Sequence, residues 1–581
     1  MFTKNSILGS KWFLKEVDER KGLQISQKYK IPILLSNLLI SRGINDEEIE
    51  NFLNPNLSNN LPDPFLLIDM EKGILRIIKA IKNNEKIGII ADYDVDGSAS
   101  AAIFYKFLIN FVAKLLIKIP NRLSEGYGPN ERILNEMKNE GIKVIVTLDC
   151  GTSAKGLIDN NKYKNIDFIV IDHHLSEPNL PNVYSLINPN RFDEHNNYND
   201  MAAVGVTFLF LMGLRKKLRD INFFKKINEP NLMNLLDLVA LGTVCDVVKL
   251  SFHNRVFVSK GLELIRKRKN LVITKILDNS NNQNTPTTSD LGFKIGPQLN
   301  AASRIDDSSL AANLLIETDI NKIDLITRKL FLLNEKRKVI ENKIFNEANK
   351  QAIKQKKSNY ILVYGYDWHN GVLGIVASKL MSMYNKPSIV ISFVNNIGIA
   401  SARSIKNIDF GTIIINAKNS NLINKGGGHS MAAGFEINYN NLKKFNDFLF
   451  NYMNKIDLSI FVKNDLHDSI LSINEVNHDI LEMINRMEPF GNGNPEPKFI
   501  IKDIVIDNIK IVKEKHIFLF FKNDFNSNLK AICFNCIGTD LGEYLLKFKK
   551  FKFYFSCKIK IDNFNNFLKP QLLIDDAMVI N

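Results

Sequence analysis

Between residues 86 and 190, short apolar runs alternate with amphipathic stretches. The runs at 86–90, 115–119, 144–148, 168–171 and 184–187 have the length and near-continuous hydrophobicity of strands buried on both faces. The intervening stretches 98–112 and 130–140 carry helical spacing. Such a βαβ series predicts a mostly parallel sheet with helices on both faces. Residues 201–275 predict helices, with an apolar run from 235 to 248, and a polar Asn/Thr-rich loop follows over 278–290. From about 321 to 356 no Gly or Pro intervenes, and Ile326, Leu330, Leu333, Ile340 and Ile344 recur at helical spacing, which predicts one long helix bridging two domains. A second α/β unit is expected over 359–450, with strands near 360–364, 388–393 and 398–403. From 460 onward short alternating strands, such as 517–521, 529–534 and 551–561, predict a small β-barrel or sandwich. The first 75 residues read as a helical, mostly polar lead-in with a turn at Leu61-Pro62-Asp63-Pro64.

A chain of 581 residues is too long for one core and predicts about three or four domains. Its 45% hydrophobic content belongs to a globular protein. No run approaches the roughly 20 apolar residues of a membrane span. The N-terminal residues lack an apolar core and cleavage site, so no signal peptide is expected. Five scattered cysteines form no disulfide framework, which points to a reducing cytoplasm. The net charge of +14 suits a polyanionic partner, but the abundance of Lys, Asn and Ile equally fits an AT-biased genome. Charge alone does not choose between them.

Two signatures carry the chemistry: Ala91-Asp92-Tyr93-Asp94-Val95-Asp96-Gly97 and Ile171-Asp172-His173-His174. Each follows a predicted buried strand, which places oxygen and imidazole donors at the carboxyl edge of a sheet, where open α/β sheets hold ligands. Asp149 in Thr147-Leu148-Asp149-Cys150-Gly151 sits at a third strand end, and Asp246 closes the apolar helix-like run. Gathered carboxylates are unfavourable unless cations neutralise them. Oxygen donors with one or two imidazoles suit Mn²⁺ or Mg²⁺ better than Zn²⁺. Two such ions, roughly 3.5–4 Å apart, activate a water and stabilise a leaving oxygen. Each piece alone is weak, because Asp-x-Asp and Asp246 also make ordinary helix caps. Three strand-end acid sites in one βαβ series favour the metal.

With these residues the chain resembles the DHH phosphoesterase superfamily, and within it the bacterial RecJ-type single-strand-specific 5′→3′ DNA exonucleases. Supporting segments extend over about 80–570. They include Ile119-Pro120-Asn121-Arg122, Gly126-Tyr127-Gly128, Ile187-Asn188-Pro189-Asn190 and Gly296-Pro297-Gln298-Leu299-Asn300-Ala301-Ala302-Ser303-Arg304. The most specific are Gly427-Gly428-His429-Ser430-Met431-Ala432-Ala433-Gly434 and Glu488-Pro489-Phe490-Gly491-Asn492-Gly493-Asn494-Pro495-Glu496-Pro497. The resemblance implies an α/β fold: a lead-in (1–75), a parallel-sheet DHH catalytic domain (76–275), a substrate-binding segment with the long connecting helix (276–356), an α/β DHHA1 domain (357–455) and a C-terminal OB-like β-barrel (456–581).

It also implies roles. Asp94, Asp96, Asp149, His173 and Asp246 bind two Mn²⁺ or Mg²⁺ ions, with Asp149 bridging. His174 orients a ligand or touches the scissile phosphate. Wider relatives place a His four residues before the first ligand Asp; here that residue is Ile90, so Asp92 either substitutes as a ligand or only hydrogen-bonds. Arg122, Asn300, Arg304, Arg403, Gly427, Gly428 and His429 handle substrate. Glycines at 426–428 admit backbone N–H groups close to a phosphate, the alternative being a tight structural turn with a buried His. Trp368 is either a base-stacking platform or, more in keeping with its kind, core. The Lys and Phe alternation near 547–553 describes a strand-guiding surface and a half-buried strand equally well, and Cys533-Phe534-Asn535-Cys536 reads as structural thiols.

The implied activity is metal-dependent hydrolysis of single-stranded DNA from the 5′ end to mononucleotides, in repair and recombination. The strand would enter a groove between the DHH and DHHA1 domains. Family partners would be a single-strand-binding protein and a helicase, for a monomeric cytoplasmic enzyme with no membrane association. Two rivals stand beside it. A DHH phosphodiesterase of short oligonucleotides or cyclic dinucleotides would be shorter and lack the connecting helix and barrel. An inactive single-strand-binding scaffold should have lost ligands, and here every expected acid and both histidines remain.

Overall fold

The computed structural model describes residues 4–580 except 113, 226, 281–283, 523–527 and 563–568. The chain divides into two compact units: Asn54–Asn342 together with Pro489–Asn494, and the remainder.

In the first unit, strands β1 (Ile87–Ala91), β2 (Leu115–Lys118), β3 (Val144–Leu148), β4 (Asp167–Ile171) and β5 (Ser185–Ile187) form one sheet in the order β2-β1-β3-β4-β5. Every pairing is parallel. All residues of β1 and β3 are buried, as their uninterrupted apolar sequences require. One face packs Ile103, Phe104 and Phe107 of α1 (Val95–Leu108) with Phe208 and Phe210 of α2 (Ala203–Asp220). The other packs Ile133, Leu134 and Met137 against Ile145, Phe168 and Val170. This strand order reverses direction between β1 and β3, so the crevice expected of such sheets opens at the carboxyl ends of those two strands. The apolar run near 235–248 is the buried helix α3 (Leu236–Cys245), and Asn300 and Arg304 lie on α4 (Gly296–Ile305).

The helix α5 (Ile320–Lys354) is 35 residues long, close to the expected span, and the division of the chain falls inside it. Within its first part Ile323, Thr327, Leu330, Asn334, Arg337 and Glu341 are buried at alternating spacings of four and three. The Arg337–Glu341 ion pair, with Asn334 on the Arg337 Nε at 3.1 Å, satisfies the charges inside that seam.

The second unit holds two larger sheets. Strands β6 (Ile361–Tyr366), β7 (Ser388–Val394), β8 (Ile397–Arg403), β9 (Lys425–His429) and β10 (Ala432–Asn438) run in the order β9-β10-β8-β7-β6. The β9–β10 hairpin has no counterpart in the hydropathy pattern, because a Lys-Gly-Gly-Gly-His strand has no alternation to detect. The C-terminal strands β11 (Ser469–Leu471), β12 (Phe499–Ile504), β13 (Asn508–Val512), β14 (His516–Lys522), β15 (Asn528–Cys533), β16 (Lys552–Asp562) and β17 (Lys569–Ile580) form one sheet. Its order is β11-β12-β16-β17-β15-β14-β13, and among the described residues its end strands do not pair with each other, so the expected barrel stands as an open seven-stranded sheet of OB type.

The N-terminal segment differs from the helical lead-in its polarity suggests. Its helices are real, but Lys11–Leu14 is a strand that pairs in parallel with Asn464–His467. Trp12 is buried there, its ring 5.1 Å from that of His467. The pairing spans more than 450 positions, so no local pattern announces it. Among the described residues no helix is long and apolar enough to cross a membrane.

Candidate metal centre

The sheet ladder continues one residue beyond three strands. Asp92 N–H donates to Leu148 O (3.1 Å), Asp149 N–H to Ile171 O (3.0 Å) and Asp172 N–H to Ile187 O (3.1 Å). Backbone register therefore lines up three aspartates along the carboxyl edge, two of them at the reversal between β1 and β3. From there each takes a different part. The Asp94 Oδ1 caps α1 by accepting from the N–H groups of Asp96 (2.9 Å) and Gly97 (3.1 Å). Asp96, in the first turn, accepts from Ala203 N–H (2.7 Å) and Val204 N–H (2.9 Å) at the start of α2. Asp149 holds a left-handed backbone (φ 61°), which turns the chain sharply off β3. Asp246 ends α3, its N–H donating to Gly242 O at 2.9 Å. The cap reading holds for Asp94, whose Oδ1 is taken by the α1 amides, while Asp96 has both oxygens engaged by the start of α2.

His173 Nε2 lies 3.3 Å from Asp149 Oδ1, 3.5 Å from Asp246 Oδ2 and 3.9 Å from Asp96 Oδ2. Three overlapping donor groups result: Asp149 with His173 and His174; Asp96 with His173 and Asp246; and Asp92 with Asp94 and Asp149. Asp149 and His173 each belong to two of them. The donor set fits a divalent cation, because Asp92 Oδ1, Asp149 Oδ1 and His173 Nε2 are buried with no hydrogen-bond partner. Buried polar atoms are seldom left so.

Asp172 is the exception among the strand-end acids. Its Oδ1 accepts from the N–H groups of His173 (2.8 Å) and His174 (3.3 Å) and lies 2.8 Å from His174 Nδ1, while Oδ2 accepts from Thr152 N–H (3.0 Å). Both of its oxygens are engaged, and it joins none of the three donor groups. Its carboxylate holds the two histidines. Asn188 supports it by donating to His174 O (2.8 Å) and Thr152 Oγ1 (2.9 Å), and Asn190 donates to His173 O (2.6 Å). Tyr127 reaches in from its loop to donate to Asp149 O (2.9 Å), with His174 Nδ1 at 3.1 Å. None of Tyr127, Thr152, Asn188 and Asn190 stood among the candidate residues. The segments of Tyr127, Asn188 and Asn190 were visible as motifs and Thr152 was not, and only the folded loops reveal their contacts.

Burial and mutual repulsion lift the carboxyls. Asp96 is raised to about 7 and Asp246 to about 9, in both by burial first and neighbouring aspartates second. Asp92 and Asp149 rise for the same reasons. Burial and then the charge of His174 lower His173 to about 4, which keeps its ring neutral and able to ligate. Burial pulls His174 down, but the Asp172 hydrogen bond and charge outweigh it and raise His174 to about 9. Asp172 falls below the usual carboxylate range although burial opposes it, because His174 is its partner. The pair is thus carboxylate and imidazolium at neutral pH.

Of the expected substrate residues, Arg122 and Arg304 come close to this site. The Arg122 guanidinium lies over the Tyr93 ring at 4.7 Å, and the charges of Arg122 and Arg304 both act on the Tyr93 hydroxyl. Asn300 Oδ1 is buried without a hydrogen-bond partner. Arg403, Gly427, Gly428 and His429 belong to the second unit. There Arg403, Ala432 and His429 lie side by side across β8, β10 and β9. His429 is exposed and the three glycines are in a strand, so the alternative of a tight turn with a buried His does not hold. Gly428 has no room for a side chain, since a Cβ would overlap Ala432 O, whereas Gly427 is open. Trp368 is buried, with Nε1 donating to Glu347 Oε2 at 2.8 Å, which is the core reading. Cys533 and Cys536 are free and buried. In β16 Phe553 and Phe555 are buried and Lys552 exposed, as in a half-buried strand.

The sequence matches the N-terminal domain of the DHH family over residues 86–243, the DHHA1 domain over 357–455 and the RecJ OB domain over 467–576. It is 32% identical to the single-stranded-DNA-specific exonuclease RecJ of Haemophilus influenzae, an alignment covering 97% of this chain and 99% of that one. Identity to the Escherichia coli protein of the same name is also 32%, over 84% of this chain and 85% of the other. The fold superposes on that of RecJ from Thermus thermophilus in complex with Mn²⁺ with a TM-score of 0.82 at 22% identity, covering 98% of this chain and 80% of that one. A crystal structure of an exonuclease RecJ bound to manganese matches 67% of this chain and 96% of its own, with TM-score 0.57 and 25% identity.

Proposed function

The chain belongs to the RecJ family of single-stranded-DNA-specific exonucleases, and from that premise we propose that it removes mononucleotides from the 5′ end of single-stranded DNA. It is a metal-dependent nuclease whose cofactor is Mn²⁺ or Mg²⁺. The observation that carries this reading is the intact donor set at the carboxyl edge, with three buried ligand atoms that have no other partner.

In the proposed site Asp94, Asp96, Asp149, His173 and Asp246 would hold divalent cations, with Asp92 beside Asp94 and Asp149 in the third donor group. The chemistry a divalent cation supplies in such a set is polarisation of a phosphate oxygen and a lowered pKa for water. The chain's own residues supply the rest. Asp172 keeps His174 charged and fixes its ring through Nδ1, which leaves Nε2–H to donate to a phosphate oxygen. Tyr127 restrains the same ring and the backbone of Asp149 together. Arg122 and Arg304 bring positive charge to the Tyr93 side of the site, suited to the phosphate of a strand end. In the second unit Arg403, His429 and the open backbone at Gly427 offer further phosphate donors. Polarity and product size follow the family. So do action in repair and recombination, a monomeric cytoplasmic state, and a single-strand-binding protein and a helicase as partners.

The test is digestion of a single-stranded oligonucleotide labelled at either end, in Mn²⁺ or EDTA, by the wild type and Asp149→Ala. We expect metal-dependent mononucleotide release from the 5′ end, reduced about 10³-fold or more by the substitution. Release from the 3′ end would overturn the polarity. Cleavage of dinucleotides alone would favour the short-oligonucleotide phosphodiesterase, and binding without cleavage in any metal the scaffold.

A further inference from the structure

One proposed ligand, Asp246, is followed by a backbone conformation that its sequence does not favour. Val247 has φ 61°, in the left-handed region, where helix ends normally place Gly or Asn. A β-branched residue is strained there and persists only when its surroundings hold it. Val247 is 65% exposed, so packing does not supply the restraint.

A segment from far along the chain does. Residues Pro489–Asn494 are part of the same compact unit as the metal centre. Asn492 Nδ2 donates to Val247 O at 2.8 Å, and Asn492 O accepts from Leu250 N–H at 2.7 Å. One residue therefore grips the turn on both sides, immediately after Asp246. The grip is itself anchored. Gly491 and Asn494 exchange backbone hydrogen bonds at 2.9 and 3.1 Å, which closes the loop. Buried Arg255 donates to Pro489 O (3.2 Å), and Thr288 Oγ1 donates to Phe490 O (2.6 Å). A Cβ on Gly491 would lie 2.8 Å from the end of the Leu250 side chain, and Gly493 has φ 79°, a left-handed conformation that favours glycine.

We infer that Asn492 is a positioning residue for the metal centre: by holding Val247 in its left-handed turn it sets the direction in which the Asp246 carboxylate leaves α3 toward His173. Asn492 touches neither metal nor substrate. It acts through two residues, and its effect falls on cation affinity rather than on DNA binding. The inference rests on Asp246 being a cation ligand, as proposed above.

The discriminating variant is Asn492→Leu, nearly the same size without the donor, alone and combined with Val247→Gly. Glycine adopts the left-handed turn unaided, so it should make the grip unnecessary. Mn²⁺ binding to the full-length protein, without DNA, is read from the loss of the aqueous Mn²⁺ paramagnetic resonance signal. We expect Asn492→Leu to raise the Mn²⁺ dissociation constant about tenfold, in the range of supporting residues around metal ligands, and to change it less than about twofold in the Val247→Gly background. The KM for single-stranded DNA at saturating Mn²⁺ should stay within about twofold of wild type, since the substrate contacts are untouched. An equal effect in both backgrounds, or none in either, would overturn the inference. If the leucine lowers the melting temperature in EDTA, Asn492→Ser, whose hydroxyl is too short to reach Val247 O, replaces it in the same cycle. Failure of the wild type itself to bind Mn²⁺ would refute the metal centre, a result distinct from an unchanged affinity in the variants.

Discussion

Asp172 and Asp149 end neighbouring strands in the same way, yet one secures two histidines and the other keeps an unpartnered oxygen. The difference lies in their local partners: Thr152 N–H and the His173–His174 backbone satisfy Asp172, while Asp149 Oδ1 has none. Protonation follows, and with it a pH dependence of the metal-free protein. Asp246 has a folded pKa of about 9, above the ordinary carboxylate value, so its contribution to stability is full below about pH 4 and is lost as pH rises toward 9. His174, also raised to about 9, contributes stability below about pH 6.5 that is lost over the same upper range. Both signs agree between pH 7 and 9. The melting temperature in EDTA should fall across that interval, and Asp246→Asn should flatten the fall. Saturating Mn²⁺ should raise the melting temperature most at the alkaline end, because ligands must shed protons to bind. A melting temperature that rises from pH 7 to 9 in EDTA would contradict this.

Among the elements, α1 carries the heaviest constraint. Its first turn contains Asp96, its cap is Asp94, and Gly97 between them and the core packs directly on the backbone of Asp92. A Cβ at Gly97 would overlap Asp92 O and lie 2.7 Å from Asp92 N, and backbone atoms cannot swing aside as a side-chain end can. Gly97→Ala should therefore push α1 away from β1, destabilising the protein by about 1–3 kcal/mol despite alanine's better helix propensity. Nuclease activity should fall further than stability does, because Asp94 and Asp96 move together. Thermal melting and cleavage assays on the same preparation check it; a variant with unchanged melting temperature would show that the close approach is relaxed in solution.

For the whole molecule, the domain series read along the sequence and the compact units of the fold divide the chain differently. The unit bearing the metal centre takes in Pro489–Asn494, and Lys11–Leu14 finds its strand partner at Asn464–His467. A protein ending at residue 455 would keep every proposed ligand and still lose both the grip on Val247 and the cover over Trp12. It should melt about 5 °C or more below the full chain and bind Mn²⁺ more weakly. Equal melting and equal affinity would mean that the C-terminal portion is dispensable to the centre.

Local pattern determined much of this protein. Strands β1, β3 and β4, α1 and α5 follow from runs and periodicities within each segment, since burial on two faces or along one stripe constrains residues that are near neighbours in sequence. The donor types at the strand ends were legible for the same reason, because a strand's last residue and the ligand after it are adjacent. Tertiary structure alone decided what required distant partners. It chose which carboxylates stay unpaired, brought Tyr127 onto His174, made a strand of Lys425–His429 beside β10, and carried Asn492 to Val247 across more than 240 positions. A hydrogen bond between remote segments imposes no period on either one, so it leaves no trace in a single sequence until the chain is folded.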